Sequence, residues 1–137
     1  MMKRFALATL ACVALLAVSA CTKAVLKPAP AISVPAGISQ AQVKKSIVSA
    51  LEGRKWTLDK IEDGTILSTL HLRDHTATIR ITYNTQAVNI TYLRSTNLEY
   101  SQRGSTRYIH RNYNGWINYL EQDITRNLQN LSATQSD

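Results

Sequence analysis

Cysteine is nearly missing from this 137-residue chain, which has two, Cys12 and Cys21, both within the first twenty-one residues. From residue 22 onward there is no thiol, which excludes a disulfide framework, thiolate catalysis and a cysteine-built metal site in the folded part. Glycine is scarce, five in all. No glycine-rich phosphate loop, Gly-x-Ser-x-Gly elbow or Ser/Lys pair at a catalytic spacing is present. Acidic residues are outnumbered, nine against sixteen Lys and Arg, for a formal net charge of +7. The chain also lacks an apolar run of spanning length. Residues 5–20 make 16, short of the roughly 20 needed to cross a bilayer.

What that run does have is the order of an export signal: Lys3 and Arg4, an apolar centre, then Val18, Ser19 and Ala20 before Cys21. Small residues followed directly by cysteine resemble the lipobox of bacterial lipoproteins, in which the thiol is acylated and becomes the first residue of the mature chain. The expectation is a signal peptide over residues 1–20 and a palmitate-type modification on Cys21. Two or more acyl chains hold a protein firmly, at about 0.8 kcal/mol per buried methylene. The alternative is an ordinary cleaved secretory signal that leaves Cys21 a free thiol. The remaining 117 of the 137 residues suit one domain with a modest core. Losing Lys3 and Arg4 lowers the charge by two and leaves the chain basic. In an exported protein the polyanions met are phospholipid headgroups, lipopolysaccharide phosphates and peptidoglycan carboxylates, not nucleic acid.

Residues 21–37 hold the acylated cysteine and all three prolines, Pro28, Pro30 and Pro35, without helical or strand period. Such a stretch predicts an extended tether reaching up to roughly 50 Å at about 3.1 Å per residue. The alternative is an arm folded back through Val25, Ile32 and Val34. Residues 38–131 form the domain. Ser39 offers an N-cap, Gln42 its capping-box partner, and Ile38 with Val43 a hydrophobic staple. Val43, Ile47, Ala50 and Leu51 then recur at helical spacing, and Gly53 stands where a left-handed C-cap is wanted. The spacing predicts a helix over residues 40–52.

From Trp56 the period becomes two. Strands are predicted from Trp56 to the Glu62–Thr65 turn, through Ile66, Leu70 and Leu72, through Ala77, Ile79, Ile81 and Tyr83, and through Val88, Ile90 and Tyr92. Tight turns between them imply an antiparallel meander. Residues 95–112 lack periodicity and read as a basic loop. A final helix begins near Asn112 or Asn114, with Tyr113, Trp116, Ile117, Leu120, Ile124, Leu128 and Leu131 on one face, before a frayed tail over 132–137. The predicted fold is α+β: a two-layer sandwich in which a four-stranded antiparallel meander carries the N-terminal and C-terminal helices on one face. The opposite face would expose Thr65, Thr69, His71, Arg73, Thr76, Thr78, Arg80, Thr82, Asn89 and Thr91 as a solvated wall.

Few residues suggest chemistry. His71, Asp74 and His75 flank one turn, but a metal needs further donors that the spacing does not supply. Glu62, Asp63 and Glu99 are the carboxylates that glycan cleavage would need, in positions where carboxylates are ordinarily solvated. No catalytic residue, cofactor or metal is assigned. The densest cluster is Arg94, Arg103, Arg107 and Arg111 with Tyr100, Tyr108 and His110, where guanidinium forks and amphipathic rings suit a carboxylate- or phosphate-bearing partner. A second candidate surface is His71, Arg73, Thr78 and Arg80.

The stretch from Arg54 to Leu128, with GRKW, the alternating strand His75 to Tyr83, Ile90 to Tyr92, Ser95 to Leu98, and IHRNYNGWINYL at Ile109 to Leu120, resembles small uncharacterised lipoproteins of Gram-negative bacteria. The order of elements also resembles the helix-grip domains of the BamC lipoprotein of outer-membrane assembly. In enteric lipoproteins an Asp after the acylated Cys retains the protein in the inner membrane; Thr22 stands here, and the resemblance implies the outer membrane, facing the periplasm. The expected function is a non-enzymatic, lipid-anchored binding protein, accessory to envelope assembly or maintenance, with an anionic envelope component or an envelope protein as partner. The alternatives are an enzyme acting on peptidoglycan or lipid, or a partner or inhibitor of a secreted toxin or enzyme.

Overall fold

The computed structural model describes residues 22–135; the expected signal peptide, Cys21 and the last two residues lie outside the described residues. In chain order the elements are β1 (Lys23–Val25), β2 (Ile32–Ser33), α1 (Gln40–Gly53), β3 (Trp56–Glu62), β4 (Thr65–Leu72), β5 (His75–Tyr83), β6 (Ala87–Thr96), β7 (Ser101–Arg103), β8 (Thr106–His110) and α2 (Asn112–Gln135). The class is α+β, with two helices and two antiparallel sheets, one of order β2-β6-β5-β4-β3 and one of order β1-β8-β7.

α1 begins as its sequence dictates. The Ser39 hydroxyl accepts from the Gln42 amide at 3.2 Å, and the Gln42 side chain accepts from the Ser39 amide at 2.9 Å. Both halves of the capping box are therefore made, satisfying donors that a helix start leaves orphaned. Val43, Ile47 and Leu51 are fully buried. The helix end differs from expectation: Gly53 is still helical, and Lys55 takes the left-handed conformation at φ 66°. The Lys55 amide donates to the Glu52 carbonyl at 3.1 Å, so the chain reverses two residues later than a Gly53 cap would have it.

The meander runs β3 to β6 through three consecutive antiparallel pairings. On β5, Ala77, Ile79, Ile81 and Tyr83 are all buried, as alternation requires. They join Ile66, Val88, Ile90 and the apolar stripes of both helices in one core cluster. Two bulges interrupt the ladder, between Leu58 and Lys60 on β3 and opposite Thr78/Ile79 on β6. β3 is one edge of this sheet and the two-residue β2 the other.

Further expectations need correction. The sheet has five strands, because β2 adds to the β6 edge through Ile32↔Val88 and Ser33↔Ala87. Residues 95–112 are not a loop: β7 and β8 form a hairpin, and β1 pairs along β8. Strands of three and five residues with a single fully buried side chain, Ile109, are too short to display a period. The tail is helical to Gln135, whose side-chain amide donates to Gln42 at 3.3 Å. The Thr-rich face is only partly solvated. Thr69 and Thr78 are buried, hydrogen-bonded to each other at 2.8 Å, with Thr69 also donating to Asp59.

The stretch predicted as a tether lies along the domain instead. The Leu26 amide donates to Arg107 O at 2.8 Å, and the Val34 amide donates to Gln86 O at 2.9 Å. Asn114 clamps the arm from α2, accepting from the Lys27 amide at 3.3 Å and donating to Val25 O at 2.9 Å. Leu26 and Ile32 are buried, and Val34 packs against the core, while Val25 stays 46% exposed. The three prolines fall outside β1 and β2, where no ladder donor is missed. Truncating Leu26 or Ile32 to Ala should therefore lower the unfolding free energy of the protein by about 2 kcal/mol or more, read from the urea midpoint, whereas a spacer would be indifferent to either change.

Candidate functional site

The β7–β8 hairpin turns through Gly104 at φ 60°. Paired residues share a face of the sheet, so Lys23 with His110, and Val25 with Tyr108 and Ser101, line its outer side. Lys23 reaches across to Ser101 at 3.3 Å. Ile109 faces inward, and so does Arg107, whose guanidinium lies 5.9 Å over the Tyr92 ring. Tyr92 stacks on Tyr100 at 5.0 Å, 7° from parallel, and meets Tyr113 edge-on at 5.6 Å. Burial raises the phenol pKa of Tyr113 strongly and that of Tyr92 less, partly offset by Arg107. Both rings are neutral at physiological pH. Arg107 thus serves the aromatic cluster as a packed cation, beside a small cavity of about 100 Å³ roofed by Leu26, Lys27, Pro28 and Ala29 of the arm.

The arginines grouped by sequence are dispersed in space. Arg103 ends β7 beside the hairpin turn and is exposed, and Tyr108 is half-buried on the outer face. Tyr100 belongs to the aromatic stack. Arg111 lies at the other end of β8, where its amide donates to Thr22 O at 2.7 Å. His110 is beside it, with Nδ1 accepting from the Asn112 amide at 3.2 Å. Arg94 is on the larger sheet, opposite Thr78. The second group is also dispersed: Thr78 is buried, Arg80 is exposed on the open face, and Arg73 is in the β4–β5 turn at φ 57°.

His71 belongs to an apolar groove of about 320 Å³, bounded also by Arg54, Lys55, Trp56, Leu72, Trp116 and Tyr119. Leu72 and Trp116 are shared with a neighbouring depression that takes in Arg73, His75, Leu98 and His110. All three histidines of the chain therefore gather at one end of the domain. His75 Nδ1 is 2.6 Å from the Asn97 carbonyl, and its other nitrogen is 4.0 Å from Asp74. Leu72 and Tyr119 are 46% and 48% exposed. Sequence reasoning named His71, Arg73 and His110 of this surface but not its apolar side chains. Trp116 and Tyr119, one helical turn apart, form a second row beside the buried stripe of α2, and that pair was the available signal.

One ion-paired group borders the groove. Arg54 donates to Asp123 at 2.7 and 3.3 Å and lies 4.6 Å over Tyr119, while Arg126 donates to Asp123 at 2.9 Å. The hydrogen bond from Arg54 holds the Asp123 carboxyl below its ordinary range, with Arg126 adding to the effect and desolvation opposing it. Among the described residues no group of three or more His, Cys, Asp or Glu could hold a metal ion, and no helix is long and apolar enough to cross a membrane.

No family model matches the chain, and neither does any curated protein or solved structure compared with it. The Asp123 cluster makes a prediction of its own. A carboxyl whose folded pKa is depressed stabilises the protein above its unfolded pKa of about 4, and the contribution disappears as pH falls through the folded value. Asp123→Asn should therefore be less stable than the parent at pH 7, with the gap closing below pH about 4 in chemical denaturation.

Proposed function

We propose that this protein is a non-enzymatic, lipid-anchored binding protein that faces the periplasm from the outer membrane and assists envelope assembly or maintenance. The carrying observation is the hairpin beside the anchor position. Thr22, the residue after Cys21, is bonded to Arg111 at one end of β8, and the exposed Arg103 stands at the hairpin's other end. Four residue steps from His110 to Thr106 span roughly 13 Å at about 3.3 Å each. A chain anchored through Cys21 would thus hold its body against the leaflet, with the tip directed away from it. The arm's pairing supports this close posture in place of a long reach.

At the tip Arg103 offers a free fork, and Tyr108, midway along β8 on the same face, an amphipathic ring. This chemistry suits phosphate or carboxylate groups of lipopolysaccharide or peptidoglycan. The surplus of cations in the mature chain favours the same class of partner. Nothing in the reading requires a reaction.

Two measurements test it. Cys21→Ser should abolish incorporation of labelled palmitate and move the protein from the membrane to the soluble fraction; palmitate absent from the parent protein would reject the anchor. The mature protein should bind lipopolysaccharide or muropeptides, and Arg103→Ala with Tyr108→Ala should weaken that binding about tenfold, the scale of a lost charged hydrogen bond. Arg94→Ala, on the other sheet, should leave it unchanged. Equal affinity of the parent and the hairpin variant would reject the tip as the contact.

A further inference from the structure

The left-handed backbone positions divide between the two ends of the domain. At the end away from Thr22 the turns use glycine: Gly37 precedes α1, Gly64 joins β3 to β4 and Gly104 joins β7 to β8. At the end bearing Thr22 they do not. Lys55, Arg73, Asn97 and Glu99 have φ of 66°, 57°, 58° and 56°, in the α1–β3, β4–β5 and β6–β7 connections. Glycine adopts this conformation without steric cost, and side chains there are strained. Two of the four are cations, placed where strain is more often tolerated for function than for stability.

The same end carries the exposed apolar side chains of the groove. Leu72, Trp116 and Tyr119 lie between Arg54 and Lys55 on one side and Arg73 on the other. Arg111, bonded to Thr22, is exposed at the same end, between His110 and Asn112 of the neighbouring depression. Of the nearby acids, Glu99 accepts from the Thr22 hydroxyl, Asp74 from the Asn97 side-chain amide and Asp123 from two arginines, while Glu52 is exposed in the same turn as Lys55. Among the described residues Lys55, Arg73 and Arg111 have no carboxylate in ion-pairing range. Partly exposed Trp, Tyr and Leu ringed by unpaired cations match the headgroup region of an anionic leaflet, where aromatic rings sit at the boundary and cations meet phosphate.

We infer that the end of the domain bearing Thr22 docks on anionic phospholipid, bedding Leu72, Trp116 and Tyr119 at headgroup depth with Lys55, Arg73 and Arg111 on the lipid phosphates. Position supports this occupant. Cys21 precedes Thr22 by one peptide unit, about 3.8 Å between Cα atoms, so an anchor there delivers this surface to the bilayer first. The inference rests on the anchor reading for that delivery, but the surface chemistry is independent of it.

The test uses the exported, purified mature protein, whose mass reports acylation. It is mixed with vesicles of phosphatidylethanolamine and phosphatidylglycerol containing lipids brominated on their acyl chains. A Trp116→Phe control reports the contribution of buried Trp56, which is subtracted. Trp116 emission should shift to the blue and be quenched. Lys55→Gln, Arg73→Gln and Arg111→Gln together should reduce the quenching several-fold and abolish its dependence on phosphatidylglycerol. Leu72→Asp with Tyr119→Asp, at positions already half exposed, should do the same with an unchanged circular dichroism spectrum. Acylated protein whose Trp116 is unquenched, or whose quenching ignores the charge changes, overturns the docking while sparing the anchor. Unacylated protein overturns the anchor; sedimentation with phosphatidylglycerol vesicles then decides the docking, upheld if the protein pellets at low salt and overturned if it does not.

Discussion

The pairing of one short segment with two sheets governs the shape of this molecule. Between Lys23 and Ser33 the chain supplies an edge to β8 and an edge to β6. It crosses from the small sheet to the large one under the clamp of Asn114. Leu26 and Ile32 enter the core from this segment, so the arm contributes buried apolar surface as well as ladder hydrogen bonds. The hairpin and the end bearing Thr22 both take their positions from it. Without the arm, β8 would lose its neighbour on one side, and the cavity beside Tyr92 and Arg107 would lose its roof.

Local chemistry was readable in the sequence where a short-range signal was complete. α1 carried a capping box and a staple within a few residues, and its start was found to the residue. β5 alternated over nine residues, long enough for a period of two to stand out. Legibility failed where the decisive partner was distant. Nothing within residues 22–37 announces that β8 and β6 are waiting, and prolines that resemble a spacer serve equally well as gaps between two very short strands. The hairpin over residues 101–110 is hidden for a related reason: one face of β8 packs by a single isoleucine, and Arg107 on the same face is held by a ring instead of by water. Thr69 and Thr78 were expected on a wet surface; they are buried with a hydrogen bond to each other and one from Thr69 to Asp59, partners on three different strands that spacing along the chain does not announce.

The candidate surfaces follow the same rule. A cluster of four arginines close in sequence becomes four environments once β6, β7 and β8 diverge: the larger sheet for Arg94, a hairpin tip for Arg103, a packed aromatic cage for Arg107 and the end bearing Thr22 for Arg111. Conversely, Arg54 and Arg73, far apart along the chain, border adjoining depressions that share Leu72 and Trp116, because α1 ends and β4 turns at one end of the domain. Charge counted along a chain predicts its partners in bulk, and folding decides which charges act together.

The bulged edge strand β3 has a further consequence. Its outer rim presents unpaired backbone donors and acceptors, which in a flat strand would template addition of another chain. Here the bulge between Leu58 and Lys60 breaks the spacing, and Asp59, Lys60 and Glu62 surround it with charge, with Lys60 and Glu62 paired at 2.8 Å. Copies crowded side by side on one surface would find no regular ladder to extend, and the fold carries its own protection against sheet-to-sheet polymerisation.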